Sequence, residues 1–342
     1  MEVVDPAHPD SAVRPAASKA EARAAQWCAA RLSASGYDVE VDAFPARTSI
    51  APWLALDLAI STAGALLVGV LPLLAFGFGL VGIVLYARDT EGRASLAPRR
   101  ATSHNVVGMT SQSPRVVVFA GLDGIQGWSA WHAALGQGLR YATLAVHFIL
   151  VAVPAISAGI WIFGTHDAAR AEILGGLIAA VLSAVCVWIC SHDLPASGDD
   201  RDIPVQVALR VGELRLPDVW IVFGGASGAG NEGIQALLRE RGESLGAASI
   251  LNLEQMGTGP VAAAEQEGVL KARRAFGGLV QAAEDAGAEI RDWRDTPTDG
   301  GVALAHHFKA LTLLLAPGDE ADAADRLFAV VRTIVGSHRG MD

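Results

Sequence analysis

Gly224-Gly-Ala-Ser-Gly228-Ala-Gly230 follows an apolar run that reads as a strand and precedes a stretch that reads as a helix. Glycines spaced G-x-x-x-G-x-G allow a tight turn and let backbone N–H groups approach an anion at a helix N-terminus. Gly224, Gly228 and Gly230 are therefore candidate cofactor contacts for a nucleotide or phosphate. Glu254, closing the next strand, could accept a ribose hydroxyl. Against this, the loop comes late in the chain, whereas a dinucleotide fingerprint opens the first βαβ unit; a tight turn with no ligand uses the same glycines. Asp57 and His147 lie inside apolar stretches, where ionisable groups are costly and often functional. Each is only one or two turns from an end of its stretch, so a reach to interfacial water explains it as simply as an ion path. Three cysteines are too few for a disulfide framework, and Cys28, Cys186 and Cys190 read as small buried hydrophobes.

The elements that would position these residues form an alternating pattern. Helical periodicity over 17–35, 205–214, 231–241, 273–286 and 321–337 is interleaved with strand-like runs at 37–44, 104–110, 115–120, 219–224, 248–253, 289–293 and 311–315. Strands alternating with helices imply a mainly parallel sheet sandwiched by helices. Sites in such folds sit beyond the carboxyl ends of the strands, here 120–124, 224–230, 254–257 and 296–301.

The chain is 51% hydrophobic and only 18% charged, below the quarter or so usual for soluble domains. The deficit falls in two segments, 51–87 and 141–191, and the rest reads as an ordinary acidic domain. With a net charge of −10, nucleic acid is excluded as a partner. Each apolar segment reads as a transmembrane helical hairpin, turning near 69–72 and 164–172, with a lipid bilayer as partner. Trp53, Tyr86, Tyr141 and Trp188 stand at the near ends and Trp161 at the far turn, as interfacial anchors do. Arg88, Arg93, Arg99, Arg100 and Arg140 flank the spans on the domain side and only Arg170 lies beyond, so the positive-inside rule places the domain in the cytoplasm. The expected organisation is one discontinuous α/β domain (1–50, 88–140 and 192–342) interrupted by four spans.

The order and wording of the soluble segments resemble the M28 family of zinc aminopeptidases. The resemblance rests on Gly36-Tyr-Asp-Val-Glu-Val, His104-Asn-Val-Val-Gly and Arg115-Val-Val-Val-Phe-Ala. It continues through Asp200 followed by Val205-Gln-Val-Ala-Leu, Val219-Trp-Ile-Val-Phe-Gly-Gly-Ala, Ile250-Leu-Asn-Leu-Glu-Gln-Met-Gly and Thr298-Asp-Gly. Each motif is short, but together they span nearly the whole soluble part in order.

The resemblance implies two zinc ions held by histidine and carboxylate ligands, with a glutamate as general base. Position by position, the family's His-x-Asp falls on Gly121-Leu-Asp123, its bridging aspartate on Asp200 (Asp199 in the neighbouring register), and its paired glutamates on Ser227 and Gly228. Its next aspartate falls on Glu254 and its last histidine on Gly300. Three carboxylates, Asp123, Asp200 and Glu254, remain as metal-ligand positions, while both imidazoles and the base are replaced. Zinc favours nitrogen and sulfur donors, and an all-carboxylate remnant suits a hard divalent cation if any. His192, His306 and His307 are the nearby imidazoles that could substitute. The implied function is a membrane-anchored, peptidase-like protein without catalysis or cofactor, binding a peptide or membrane protein. The alternatives are a metal-dependent aminopeptidase or hydrolase with unconventional ligands, holding zinc or another divalent cation, and a nucleotide-binding module using the 224–230 loop.

Overall fold

The computed structural model describes residues 14–90, 98–123, 137–163, 177, 181, 184, 202–294, 297–316, 318 and 321–339. The chain divides into two compact units: Met1–Ser49, Pro98–Gln126 and Ala196–Asp342 form one, and Ile50–Ala97 with Gly127–Pro195 the other. The described helices are α1 (Lys19–Ala34), α2 (Ala51–Leu67), α3 (Pro72–Thr90), α4 (Gln137–Phe163), α5 (Ile203–Glu213), α6 (Glu232–Leu245), α7 (Gly277–Asp285), α8 (Asp299–Ala305) and α9 (Ala323–Arg339). The strands are β1 (Asp38–Ala46), β2 (Ala101–Met109), β3 (Val116–Gly121), β4 (Val219–Gly224), β5 (Ser249–Gln255), β6 (Val261–Glu267), β7 (Arg273–Arg274), β8 (Glu289–Trp293) and β9 (Lys309–Leu315).

In the first unit one sheet runs β1-β2-β4-β3-β5-β9-β6-β7, with β8 paired to β6. The central strands β4, β3, β5 and β9 are parallel, and so are β6 and β8. The pairs β1–β2, β2–β4, β6–β9 and β6–β7 are antiparallel. The sheet is therefore mixed, which corrects the mainly parallel expectation. The pattern missed β6 because, after Val261, Ala-Ala-Ala-Glu-Gln-Glu lacks the β-branched and aromatic residues that mark strands.

The central strands are apolar on both faces because helices cover both. Along β3, Val116, Val118 and Ala120 join the core formed with α1, α5, α7 and α9. Val117 and Phe119 point the other way, into the core formed with α6 and α8. This is the period of two expected of a strand buried on both sides. Helix α1 begins with a capping exchange: Ser18 Oγ accepts the Glu21 N–H at 3.2 Å, and Glu21 Oε2 accepts the Ala17 N–H at 3.0 Å.

The two places where the chain leaves the α/β unit and re-enters it are each closed by a buried arginine. Arg47 precedes the first excursion and Arg99 follows it. Both donate from Nε to Glu232 Oε1, at 2.6 and 3.1 Å, and the Arg47 backbone N–H donates to Oε2 at 2.7 Å. At the second excursion Arg14 donates from Nε to Leu122 O at 2.8 Å and pairs with Asp202, on the far side of the break.

In the second unit α2 and α3 form a hairpin that packs with α4. The backbones approach closely because small residues line the contacts. A Cβ at Gly82 would overlap Ser61 Oγ, and one at Gly79 would lie 2.8 Å from Leu150 O. Such close approach is typical of helices that associate without a hydrophobic driving force.

The four-span expectation is not supported. Among the described residues one helix, Pro72–Asp89, is long and apolar enough to cross a membrane, and Pro52–Leu67 and Phe148–Ile162 are shorter apolar helices. Of the return limb read at 173–190 only residues 177, 181 and 184 are described, and the turn at 164–172, Cys186, Cys190 and the side chain of His147 fall outside the described residues. Asp57 is in α2 and buried. Only 33% of the Pro72–Asp89 window is buried, unlike the core helix of a soluble domain.

Breaking a buried ion pair strands its partner charge, at about 3–5 kcal/mol. Glu232→Gln is thus expected to lower the urea midpoint of the α/β unit, followed by tryptophan fluorescence, by far more than Glu213→Gln. The latter removes the exposed partner of Arg31, worth at most about 1 kcal/mol.

Candidate functional site

Strands β4, β3 and β5 lie side by side and parallel, so their carboxyl ends open on one edge: Gly224 stands opposite Gly121, and Leu253 opposite Ala120. Asp123 follows β3, the 225–231 loop follows β4, and Glu254 lies near the end of β5. Asp299 reaches the same place from the start of α8. The chain order thus brings Asp123, Ser227, Gly228, Glu254 and Gly300 together, as the position-by-position reading implied. Asp199, Asp200 and His192 lie outside the described residues.

The loop after β4 is bound by the protein's own oxygens. Asn105 Oδ1 accepts the Gly225 N–H at 3.2 Å, and Glu21 Oε2 accepts the Ala226 N–H at 2.9 Å. Asp123 accepts the next two, Ser227 N–H on Oδ1 at 2.8 Å and Gly228 N–H on Oδ2 at 2.7 Å. Within the loop the Asn231 and Glu232 N–H groups bond back to Ser227 O and Ala226 O, at 2.8 and 3.1 Å. Ala226 and Asn231 take left-handed backbone conformations, φ 53° and 56°, uncommon away from glycine. Glu21 holds the first through its amide, and the bond to Ser227 O holds the second. A nest of amides did form, as the glycine spacing suggested, but the anions it holds are internal.

Behind the loop lies a group of buried carboxyl groups. Glu254 accepts Asn252 Nδ2 at 3.1 Å and the Asp299 N–H. Asp299 is 1% exposed, and its Oδ1 has no hydrogen-bond partner. The Ser227 hydroxyl is near enough to favour its ionised form, without good hydrogen-bond geometry. Glu267 is fully buried on β6 and accepts Thr298 Oγ1 and, at 2.8 Å, Thr312 Oγ1.

Burial pushes all four acids upward. Asp299 is held well above the usual carboxylate range, first by burial and then by the charge of Glu254. Glu267 rises to about 7, burial outweighing the bonds from Thr298 and Thr312. Asp123 also rises to about 7, through burial and the neighbouring Glu21, with the Gly228 and Ser227 amides opposing. Glu254 is raised by burial. Asp123 and Glu254 keep some exposure while Asp299 and Glu267 keep almost none, so the burial effect is firmest for the latter two.

These residues do not fit the zinc pair that the M28 resemblance implies. Among the described residues no group of three His, Cys, Asp or Glu side chains is disposed to hold a metal ion. Both oxygens of Asp123 already accept backbone amides. A side chain at Gly300 is blocked, since a Cβ there would overlap Thr312 Oγ1. His306 caps the end of α8 and His307 follows it, both exposed, at the opposite end of that helix from Asp299.

Sequence reasoning missed Glu21 and Glu267 altogether, and used Asn105 and Asp299 only as parts of motifs. The Ser18-x-x-Glu21 capping pattern was a visible signal for Glu21. Nothing local marks Glu267, because its strand was not legible.

No family model matches the chain, and no curated protein matches it. Among solved structures it is similar to an aminopeptidase from Aneurinibacillus sp. strain AM-1, at 12% identity, covering 98% of this chain and 91% of that one, with a TM-score of 0.48. The zinc aminopeptidase BSAP from Bacillus subtilis aligns at 10% identity over 96% of this chain and 91% of that one, TM-score 0.45. The Legionella pneumophila LapA aminopeptidase aligns at 8% identity over 96% and 68%, TM-score 0.40. Overlaps of this size leave the chemistry to be read from the chain's own residues.

Glu267 keeps its proton to about pH 7 in the folded protein, against 4.5 as its ordinary value. The folded state therefore binds more protons between those values, and the stability contributed is complete below about pH 4.5 and lost as pH rises through 7. Thermal stability is expected to fall from pH 5 to 8, and Glu267→Gln to make that slope shallower; an unchanged slope would place the titration elsewhere. Because the loop amides are occupied, millimolar NAD(P) or ATP is expected to leave the melting temperature unmoved, where a ligand of the folded state would raise it.

Proposed function

We propose that this chain is a membrane-anchored, M28 peptidase-like protein that does not hydrolyse peptides and serves as a binding or scaffolding module. The observation that carries this reading is the closure of the 225–228 loop on Asn105, Glu21 and Asp123. In the family that the sequence resembles, this loop supplies the general base and a ligand. Here those positions are Ser227 and Gly228. A serine hydroxyl does not take a proton from water at neutral pH as a glutamate does, and Gly228 offers no ligand atom in its side chain. The remaining carboxylates compensate one another through protons, threonine hydroxyls and backbone amides.

Membrane anchoring is supported by the outer surface of the second unit. Leu66, Val70, Leu73, Leu74, Val81, Phe148 and Ile156 are all at least half exposed, forming a larger apolar surface than a soluble protein leaves in water. The arginines at 88, 93, 99, 100 and 140, at the ends that join the α/β domain, favour a cytoplasmic position for that domain. A partner reached from there is a peptide segment or another membrane protein.

Metal analysis of the detergent-purified full chain, paired with a panel of aminoacyl p-nitroanilides, tests the reading. Substoichiometric zinc and no turnover above buffer are expected. Two zinc ions per chain, with hydrolysis lost in Asp200→Ala, would overturn it in favour of a metallopeptidase.

A further inference from the structure

The α2–α3 hairpin has a feature that a pair of ordinary spans lacks. From Ala63 to Leu85, across the whole turn, no residue has a polar side chain. Of the hairpin's polar groups, Asp57, Tyr86, Arg88 and Asp89 lie toward its two ends, and Ser61 and Thr62 lie along α2 before the apolar stretch begins. The turn is where the apolar surface is most open: Val70 is 77% exposed and Leu66 64%, with Leu71, Leu73 and Leu74 about half exposed. A hairpin crossing the bilayer would have to place this turn in the far headgroups and water.

Length points the same way. Helix α2 has 17 residues, about 25 Å at 1.5 Å per residue, short of a hydrocarbon core about 30 Å thick, so the hairpin's first limb does not span even though α3, with 19 residues, is long enough. Helix α4 supplies an internal ruler. Ser157 Oγ donates to Val68 O at 3.3 Å, at the level of the turn, and Gly79 abuts Leu150 lower down. Beyond Ser157, α4 continues to Phe163, about 9 Å further, so it outruns the hairpin.

Part of the turn's backbone is answered within the protein. The Val70 and Leu71 N–H groups donate to Leu67 O at 3.0 and 2.8 Å, and Ala75 N–H donates to Leu71 O at 2.9 Å. Pro72 has no N–H, and Val68 O receives Ser157. In hydrocarbon an unmet backbone group is prohibitive, and a turn is tolerated only where such groups are answered internally.

We propose that α2 and α3 form a re-entrant hairpin that enters the bilayer from the side on which both its ends lie and turns within the hydrocarbon, with acyl chains against Leu66, Val70, Leu71 and Leu74. This rests on the membrane reading above. It makes the hairpin an interfacial wedge rather than a pair of spans.

The test uses the full chain in phosphatidylcholine–phosphatidylglycerol vesicles, with Val70→Cys and, separately, Leu66→Cys. Both positions are exposed, so a cysteine there leaves packing intact, and the wild-type chain corrects for Cys28, Cys186 and Cys190. The expected result is labelling by a membrane-permeant maleimide, none by an impermeant maleimide added to either side, and full labelling after SDS. A spin label at 70 should be accessible to oxygen and shielded from a nickel chelate. Impermeant labelling from the face opposite the α/β domain would overturn the proposal, making the hairpin a true pair of spans, and leave the membrane reading intact. Release of the protein by alkaline carbonate would sink the membrane reading itself, and with it a lipid occupant, whether or not a protein partner covers the turn.

Discussion

Asp123 gives one carboxylate oxygen to the Ser227 amide and the other to the Gly228 amide, and much of the carboxyl edge of the sheet depends on that exchange. It ties the end of β3 to the loop after β4 and, with Glu21 and Asn105, fixes four successive amides of a loop that holds two non-glycine residues in left-handed conformations. A nest of amides attracts an anion, and a free phosphate or a metal-bound carboxylate are two ways to supply one. Here the anions are covalently part of the chain, so the loop is preorganised with no ligand to order it. The consequence extends to the neighbouring acids. Burial raises Asp299 and Glu267 toward their neutral forms, and the Thr298 and Thr312 hydroxyls bond Glu267.

Similar economy appears where the α/β unit is interrupted. Inserting long segments into a sheet domain threatens the edges at which the chain leaves. The pair of arginines on Glu232 and the bridge from Arg14 to Leu122 O and Asp202 hold the two sides of each break together inside the α/β unit. Glu232 is also the first residue of α6, so the clamp and the loop share one helix N-terminus, where a carboxylate is favoured by the helix dipole. The first break and the rebuilt loop are therefore parts of one hydrogen-bonded structure.

The helical unit is governed by different physics. Its closest contacts are small residues and backbone, as at Gly82 with Ser61 and Gly79 with Leu150. Leu54, Leu58, Tyr86 and Leu150 are buried, while Leu66, Val70 and Phe148 face outward. Exposed leucines are an unstable surface in water and an ordinary one in lipid.

The glycine run at 224–230 was legible in the sequence as a backbone nest, and so were the two apolar segments and the buried β3, β4, β5 and β9. These are local facts of residue type, period and spacing. What filled the nest was not local: Asp123 and Glu21 lie 104 and 205 positions from the amides they hold, and only the parallel register of β3 beside β4 brings Asp123 there. Glu267 was hidden because an alanine-rich strand takes its conformation from its neighbours rather than from propensity. The polar-free stretch around Val70 was visible from the start, but the level at which the hairpin stops was decided by its contact with α4. Types and periods are written along the chain; which oxygen answers which amide is a matter of distance in space, and the fold alone sets that.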